Sequence, residues 1–207
     1  MTTADEIVYV IDDDPSMRDA LSDILDAFGY ANFCFANASD YLEAERKDGA
    51  SCIVLDVRLP DINGLDLQDI LAEEISPPIV FMSGFADIPS TVRAMKKGAT
   101  EFLTKPIDPD VPLTAVREAL AKDAELRMRR AEIGRIEERF ESLTRREREV
   151  FWLIVDGMLN KQSAHLLGIS EATLQFHRGQ IMRKMKARSF AELVRMSSKL
   201  NVLGQKS

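Results

Sequence analysis

Five short apolar runs alternate with helix-type patterns over residues 1–107, and this alternation is what most constrains the fold. The runs cover residues 6–11, 31–35, 52–55, 79–82 and 101–104. Strands that alternate with helices in this way predict a parallel sheet with helices on both of its faces. Because the crossover connections in such sheets are right-handed, only a few strand orders are open to the chain.

The expected architecture is an α/β, flavodoxin-like, doubly wound fold of five parallel strands in the order 2-1-3-4-5. In such a sheet the carboxyl ends of all strands lie along one edge, and strands one and three are neighbours at the switch point. Polar side chains stand at four of these strand ends. They are Asp12 and Asp13, Asp56, Ser83 and Lys105.

This set of side chains predicts phosphate chemistry at the carboxyl edge of the sheet. A lone Asp at a strand end most often caps a loop, but three converging carboxylates repel each other and call for a cation. Since all the donors are oxygen atoms, Mg²⁺ or a similar hard ion is expected. An ionised Asp56 beside it can attack phosphorus and form an aspartyl phosphate. Ser83 and Lys105 would then hold the phosphoryl oxygens.

These residues resemble the receiver domain of two-component response regulators. The matching set is Asp12-Asp13, Asp56, Ser83 and Lys105-Pro106. The resemblance implies that Asp56 accepts a phosphoryl group from a phosphohistidine on a sensor histidine kinase. The implied Mg²⁺ ligands are Asp13, Asp56 and the backbone carbonyl of Arg58, with Asp12 in support. Ser83 would be the switch hydroxyl, and Phe102 the aromatic residue that turns inward with it; plain core packing is the alternative for Phe102.

A second interpretation of the N-terminal motif is a haloacid-dehalogenase-type phosphatase, in which Asp12 would be the nucleophile. Those enzymes resemble this chain in the Asp-x-Asp start that residues 12–14 provide. They also need an acidic pair after a late strand, and the segment from Ser83 to Asp87 lacks it. The receiver interpretation is therefore favoured, and no enzymatic activity beyond slow self-dephosphorylation is expected.

The charge distribution predicts two domains with different partners. Residues 1–107 carry 20 acidic and 8 basic side chains, whereas residues 141–207 carry 6 acidic and 12 basic ones. A basic domain is a candidate for binding nucleic acid. We expect a receiver domain over residues 1–120, a helical linker over residues 121–140 and a DNA-binding domain over residues 141–207.

The linker is rich in Ala, Glu, Arg and Leu, and it is expected to continue as one long helix. Ile133, Ile136, Phe140 and Leu143 recur at three- and four-residue spacing, as in the seam of a coiled coil. The alternative is a single amphipathic helix that packs on the chain's own domains. The spacing alone leaves both open.

The basic segment has the pattern of an all-α helix-turn-helix domain. Thr144 and Glu147 stand three residues apart, which predicts a capping box at the start of a helix. A short helix over residues 160–167 precedes a turn at Gly168, and Ser170 caps the next helix. Two helices joined by a short turn that contains Gly are typical of helix-turn-helix proteins.

The segment resembles the LuxR-type DNA-binding domain of response regulators of the NarL/FixJ class. The matching pieces include residues 143–147, 157–161, 167–170, 173 and 177–185. The implied base-facing residues are Glu171, Thr173, Gln175 and Arg178. The implied phosphate contacts are Asn160, Lys161, His177 and Lys184. Such contacts position the protein on DNA without reading the base sequence.

Two positions depart from the family pattern, and several apolar ones are assigned to the core. Ser163 falls where relatives usually carry a bulky apolar residue, and Gln175 falls where many have Lys. Leu174, Phe176 and Ile181 are expected to include core residues.

The predicted function is a phosphorylation-dependent transcription regulator that binds double-stranded promoter DNA. Phosphorylation is expected to drive either homodimerisation or release of the DNA-binding domain. RNA polymerase is a further candidate partner. A constitutive DNA-binding regulator with an idle receiver is the remaining alternative. No apolar run approaches the roughly 20 residues of a membrane span, so a cytoplasmic protein without a membrane partner is expected. Cys34 and Cys52 fall in apolar runs and are expected in the core.

Overall fold

The computed structural model describes residues 6–73, 76–84, 87–106 and 110–204. The chain divides into two compact units, Met1–Arg127 and Met128–Ser207. No helix in the described ranges is long and apolar enough to cross a membrane.

The first unit is built on a five-stranded parallel sheet. Its strands are β1 (Glu6–Ile11), β2 (Ala31–Phe35), β3 (Ala50–Asp56), β4 (Ile79–Ser83) and β5 (Glu101–Thr104). The spatial order is β2-β1-β3-β4-β5, with every neighbouring pair parallel. The predicted fold class and strand order are therefore confirmed.

Helices cover both faces of this sheet. They are α1 (Pro15–Ala27), α2 (Ala38–Glu43), α3 (Gly64–Ala72), α4 (Ile88–Lys96) and the N-terminal part of α5 (Asp110–Glu141). The residues of α5 from Met128 onward belong to the second unit. Alternate residues of β1 enter two separate cores, one with Tyr9 and Leu67 and the other with Val10 and Leu120. Strand β3 is buried on both faces, as expected for a central parallel strand.

Side-chain caps start the helices that follow the sheet's carboxyl edge. Asp14 accepts from the backbone N–H of Ser16 at α1, and Asp87 accepts from Ser90 at α4. The cap of α2 is Asn37, whose side chain accepts from the backbone N–H of Asp40. These caps satisfy backbone donors that a helix leaves unpaired at its start.

The two cysteines differ in burial. Cys52 lies in the core, but Cys34 is exposed, so the expectation that both are core residues is wrong for Cys34. The reason is that β2 is an edge strand, paired only with β1, and its burial pattern shows no fully buried position.

The second unit is helical. Its helices are α6 (Arg145–Val155), α7 (Asn160–Leu167), α8 (Glu171–Lys184) and α9 (Phe190–Gly204). The capping box of Thr144 and Glu147 is confirmed. Gly168 ends α7 with φ 65°, a left-handed conformation that favours glycine.

The apolar residues of the linker pack inside this second unit. Ile136 and Leu143 are buried in its core, and Phe140 packs against that core with its ring centroid 5.1 Å from the ring centroid of Phe151. This packing matches the single amphipathic helix, which was the alternative to a coiled-coil seam.

Candidate functional site

A cavity of about 280 Å³ opens at the carboxyl edge of the sheet. It is lined by Asp12, Asp13, Asp14, Asp56, Arg58, Ser83, Gly84 and Lys105. The strand-end residues that the sequence singled out therefore come together at one place, around the junction of β1 and β3.

The ammonium of Lys105 lies between two carboxylates. Its Nζ atom is 2.6 Å from Oδ2 of Asp12 and 2.5 Å from Oδ2 of Asp56. The backbone N–H of Lys105 donates to the carbonyl of Ser83 at 2.8 Å, and the Lys105–Pro106 peptide bond is cis. The lysine thus brings one positive charge to two converging negative charges.

Burial and hydrogen bonding act in opposite directions on these groups. Burial raises the pKa of Asp12 above its ordinary value, and the hydrogen bonds from Lys105 and the Asp14 backbone only partly oppose it. Burial lowers the pKa of Lys105, but its hydrogen bonds to Asp12 and Asp56 outweigh burial, so that pKa lies above its ordinary value. Lys105 therefore stays charged, while the charge on Asp12 is costly.

The turn between β1 and α1 is held by short polar contacts. Asp14 donates its backbone N–H to Oδ1 of Asp12 at 3.0 Å, and Arg18 donates from Nη1 to the carbonyl of Asp12 at 2.6 Å. Arg18 was not anticipated from the sequence, because a basic residue one turn into a helix looks like any solvated side chain.

The turn after Asp56 is equally constrained. Arg58 donates its backbone N–H to Oδ1 of Asp56 at 2.9 Å, and Gly64 donates to the carbonyl of Val57 at 2.9 Å. A Cβ atom on Gly64 would lie only 2.4 Å from the carbonyl oxygen of Asp56. A glycine is therefore required where α3 starts beside the candidate site.

Asp61 fastens the same loop to α2. Its carboxylate accepts from the backbone N–H groups of Ala38 and Ser39 and from the hydroxyl of Ser39. Burial raises the pKa of Asp61, but these hydrogen bonds outweigh burial and hold that pKa well below its usual range. Hydrogen bonds at Asp56 and at Asp61 therefore fix both ends of the loop that carries Arg58.

Three carboxylates offer a set of oxygen donors for a metal ion. Asp12, Asp13 and Asp56 each present one oxygen, and these oxygens all lie within 4.8 Å of one another. Asp13 is exposed while the other two are buried. An all-oxygen set with one open side fits a hard divalent cation such as Mg²⁺.

Ser83 and Phe102 occupy the neighbouring strands β4 and β5. Ser83 is buried at the end of β4 and lines the cavity. Phe102 is half-buried and stacks on Phe81, with ring centroids 5.9 Å apart and an interplanar angle of 28°. In this conformation Phe102 packs on the core of the first unit.

In the second unit, α8 presents part of the predicted DNA-facing set to solvent. Glu171, Thr173 and Gln175 are exposed on α8, and Lys161 is exposed on α7. His177 is half-buried, with its ring centroid 6.0 Å from the ring centroid of Phe176.

The other three predicted DNA contacts are engaged within the domain. Arg178 donates to Oδ1 of Asn160 at 3.0 Å, and its guanidinium lies 5.2 Å from the ring centroid of Phe190. Lys184 Nζ lies 2.6 Å from Oε2 of the buried Glu147. These pairings connect distant segments, so sequence spacing could not predict them.

Two positions differ from what the apolar pattern predicts. Leu174 and Ile181 are buried, but Phe176 is 63% exposed, so its inclusion with the core residues is wrong. Residues two apart on a helix point in nearly opposite directions, and this is why Phe176 faces away from Leu174. Ser163 is fully buried, and its hydroxyl has no hydrogen-bond partner within the described ranges.

Comparison with known proteins agrees with this arrangement of two sites. The family of response regulator receiver domains matches residues 8–117, and the luxR family of bacterial regulatory proteins matches residues 141–197. Nodulation protein W of Bradyrhizobium diazoefficiens is 43% identical over 197 residues, covering 95% of this chain and 87% of that protein. The transcriptional regulatory protein FixJ of the same organism is 39% identical, covering 98% and 99%.

Solved structures show the same likeness over nearly all of the chain. A structure of the response regulator StyR is 43% identical and has a TM-score of 0.82, covering 95% of this chain and 100% of that chain. Full-length FixJ from B. japonicum is 36% identical with a TM-score of 0.58, covering 97% and 99%.

The chain belongs to the response regulators of two-component systems, and it combines a receiver domain with a LuxR-type helix-turn-helix domain. Regulators of this FixJ-like kind are phosphorylation-dependent, DNA-binding transcription regulators. The predicted family and main function are thereby confirmed, and the haloacid-dehalogenase alternative has no support among these relatives.

Proposed function

We propose that Asp56 is the phosphoacceptor through which a sensor histidine kinase controls DNA binding by this protein. The observation that carries the proposal is the position of the Asp56 carboxylate, 2.5 Å from the Lys105 ammonium in a cavity shared with Asp12, Asp13 and Ser83. Asp56 is buried, yet it lines an opening that a phosphoryl group can enter.

The transfer is a displacement at phosphorus. A carboxylate oxygen of Asp56 forms the new P–O bond while the P–N bond of the donor phosphohistidine breaks. The imidazole nitrogen leaves with the bonding electron pair and takes up a proton. Lys105 and the Ser83 hydroxyl donate to phosphoryl oxygens, because both groups line the same cavity as Asp56.

Asp13, Asp56 and the carbonyl of Arg58 would hold Mg²⁺, with Asp12 in support. When bound, the ion offsets negative charge on the phosphoryl oxygens. The support for this assignment is the set of three carboxylate oxygens within 4.8 Å of one another. The hydrogen bonds of Asp12 and Asp56 with Asp14, Arg58 and Lys105 keep these oxygens in place.

The proposed switch runs from Ser83 to the surface of α4. Ser83 moves toward the phosphoryl group, and Phe102 turns into the space beside it. Helix α4 is suited to respond, because Ala94 is its only buried residue while Ile88 is 80% exposed. Repacking of α4 and β5 then favours a homodimer that covers this exposed apolar surface.

The proposed output is binding of double-stranded promoter DNA. Glu171, Thr173 and Gln175 face base edges from α8, and Lys161 contacts phosphate. A symmetric dimer would bind half-sites about one helical turn apart or a multiple of it. The protein would act in the cytoplasm, where promoter DNA and RNA polymerase are found, as a phosphoacceptor and regulator rather than as an enzyme.

The test is phosphorylation of Asp56 variants by a small-molecule phosphodonor. Full-length wild-type protein incubated with acetyl phosphate and Mg²⁺ should gain the mass of one phosphoryl group, and Asp56→Asn should gain none. Asp23→Asn, at an exposed position of α1, is the matched control and should behave as wild type. Uptake of a phosphoryl group by Asp56→Asn would contradict the proposal.

A further inference from the structure

The outward face of α8 is centred on an aromatic side chain. Leu174, Ile181 and Met185 are fully buried and define the side of the helix that faces the core. At 100° per residue, Phe176 points almost directly away from that side. Its 63% exposure agrees with this geometry.

The small residues around Phe176 leave much of its ring exposed, although the His177 ring lies beside it with centroids 6.0 Å apart. The residues one turn before and after it are Ala172, Thr173, Gly179 and Gln180. Ala172 and Gly179 are exposed and too small to shield the ring, and a Cβ atom added at Gly179 would meet no atom within 4 Å. The ring therefore projects from a shallow part of the helix surface that another molecule can approach closely.

The exposed ring of Phe176 is available for apolar contact with a partner. Phe176 adds nothing to the core of its own unit, and a phenyl ring has no hydrogen-bonding atom for solvent or phosphate. The helix that carries it is the second helix of a helix-turn-helix, the element that such domains place in the major groove. The only apolar feature on base edges in that groove is the C5-methyl group of thymine.

We propose that Phe176 is a specificity-determining residue that selects thymine in the major groove by contact between its ring and the C5-methyl group. The inference rests on the proposed DNA-binding role of α8 and deepens it. It assigns one base of each half-site to an apolar contact, beside the hydrogen bonds that Thr173 and Gln175 provide.

The first experiment identifies the preferred DNA with the whole protein. Full-length wild type and Phe176→Ala, each with acetyl phosphate and Mg²⁺, are used to select duplexes from a random library. We expect wild type to enrich a site with an invariant thymine in each half-site, and Phe176→Ala to enrich the same site with that position relaxed. Because Phe176 is exposed, the substitution should leave the fold intact, and Trp152 emission checks this.

The second experiment removes only the methyl group. Each thymine of the selected site is replaced in turn by deoxyuridine, which keeps the base-pairing pattern, and affinity is measured by fluorescence anisotropy. Loss of one buried methyl contact should weaken wild-type binding about fourfold at one position per half-site. Phe176→Ala should show no loss at that position, whereas the control Gln180→Ala should keep the wild-type loss.

Each result decides between distinct outcomes. In one outcome, wild type selects one site and yet loses no more affinity than Phe176→Ala when each thymine is replaced by deoxyuridine. This result would overturn the thymine contact and leave the DNA-binding function standing. Failure of wild type to enrich any site would overturn both. An apolar contact would be supported if the loss of affinity on replacing thymine by deoxyuridine persists in part in Phe176→Leu and disappears in Phe176→Ser.

Discussion

The Nζ atom of Lys105 lies 2.5 Å from Oδ2 of Asp56, and the same ammonium lies 2.6 Å from Asp12. One positive charge thus bridges the candidate phosphoacceptor and a carboxylate of the neighbouring strand. The bridge offsets repulsion within a buried acidic cluster, but it leaves Asp12 with a raised pKa. The site is therefore arranged for ligand binding at some expense of stability, as is common for functional sites.

Asp12→Asn should stabilise the protein in the absence of Mg²⁺ at neutral pH. A carboxyl group whose folded pKa is raised contributes stability that is complete below its unfolded pKa, near 3.8, and is lost as pH rises through the folded pKa. At neutral pH the ionised, buried Asp12 is therefore destabilising. We expect the thermal midpoint of the variant, followed by circular dichroism, to lie a few degrees above that of wild type.

Magnesium should reverse this order. A ligand such as Mg²⁺ stabilises a protein by an amount that rises with the logarithm of its affinity for the folded state, so wild type should gain more than Asp12→Asn. At pH values below 3.8 the two proteins should differ little, because Asp12 is then protonated. A variant less stable than wild type at neutral pH without Mg²⁺ would argue against a costly charge on Asp12.

Gly64→Ala should disrupt the turn that follows Asp56. The added Cβ atom would lie 2.4 Å from the Asp56 carbonyl oxygen and 3.1 Å from the Cα of Val57, and neither backbone atom can give way easily. We expect a loss of roughly 2 kcal/mol or more in the stability of the first unit. Chemical denaturation followed by circular dichroism measures the change.

Gly134→Ala is the matched control for that substitution. Its added Cβ atom meets nothing within 4 Å on α5, and Ala is favoured over Gly inside a helix. We expect a gain of about 0.5–1 kcal/mol. Equal effects of the two substitutions would contradict a steric requirement at Gly64.

Lys184 and Lys161 should separate into a structural and a DNA-binding role. Lys184 pairs with the buried Glu147, whereas Lys161 is exposed on α7. Lys161→Gln should lower the slope of log affinity for DNA against log salt by about 0.9 and leave stability unchanged. Lys184→Gln should instead lower the stability of the second unit by roughly 1–2 kcal/mol.

The fluorescence of Trp152 reports the loss of stability in the second unit selectively. This residue is the chain's single tryptophan and packs in the second unit, with ring centroids 5.5 Å from Phe140 and 5.1 Å from Phe151. Unfolding curves from its emission therefore follow that unit alone. If Lys184→Gln leaves stability unchanged but lowers the slope of log DNA affinity against log salt, Lys184 is a phosphate contact after all.

Glu147 should make the stability of the second unit depend on pH. Burial raises its pKa, but hydrogen bonds from Lys184 and Thr144 outweigh burial and lower that pKa below 4.5. A depressed folded pKa contributes stability that is present above pH 4.5 and is lost as pH falls through the folded pKa. Glu147→Gln should be less stable than wild type at pH 7, with the gap in Trp152 emission curves closing in acid.

The sheet and the acidic cluster could be predicted from sequence because strand ends in a parallel sheet share one edge. Once the runs before Asp13, Asp56, Ser83 and Lys105 were recognised as strands, their convergence followed from topology. The bridge from Lys105 to Asp12 and the contact of Arg18 with the Asp12 carbonyl did not follow. They depend on side-chain directions that spacing along the chain does not specify.

The DNA-binding helix was harder to predict, because its apolar residues do not share one face. Helical spacing puts Phe176 on the face opposite Leu174 and Ile181, but only the three-dimensional core shows which of these two faces is buried. Arg178 and Lys184 look like free cations for DNA, yet each has a partner far away in the chain. Cys34 is exposed because β2 is the edge strand; the predicted strand order already gave β2 that position, but the apolar run around Cys34 does not by itself show it.

The most direct test of the central claim is the change in DNA affinity on phosphorylation. Full-length wild type and Asp56→Asn are titrated onto the selected duplex by fluorescence anisotropy at one salt concentration, with and without acetyl phosphate in Mg²⁺. We predict at least a tenfold gain for wild type, equivalent to about 1.4 kcal/mol, and no gain for Asp56→Asn. Equal affinity of phosphorylated and unphosphorylated wild type would contradict the account and indicate a constitutive DNA binder with an idle receiver.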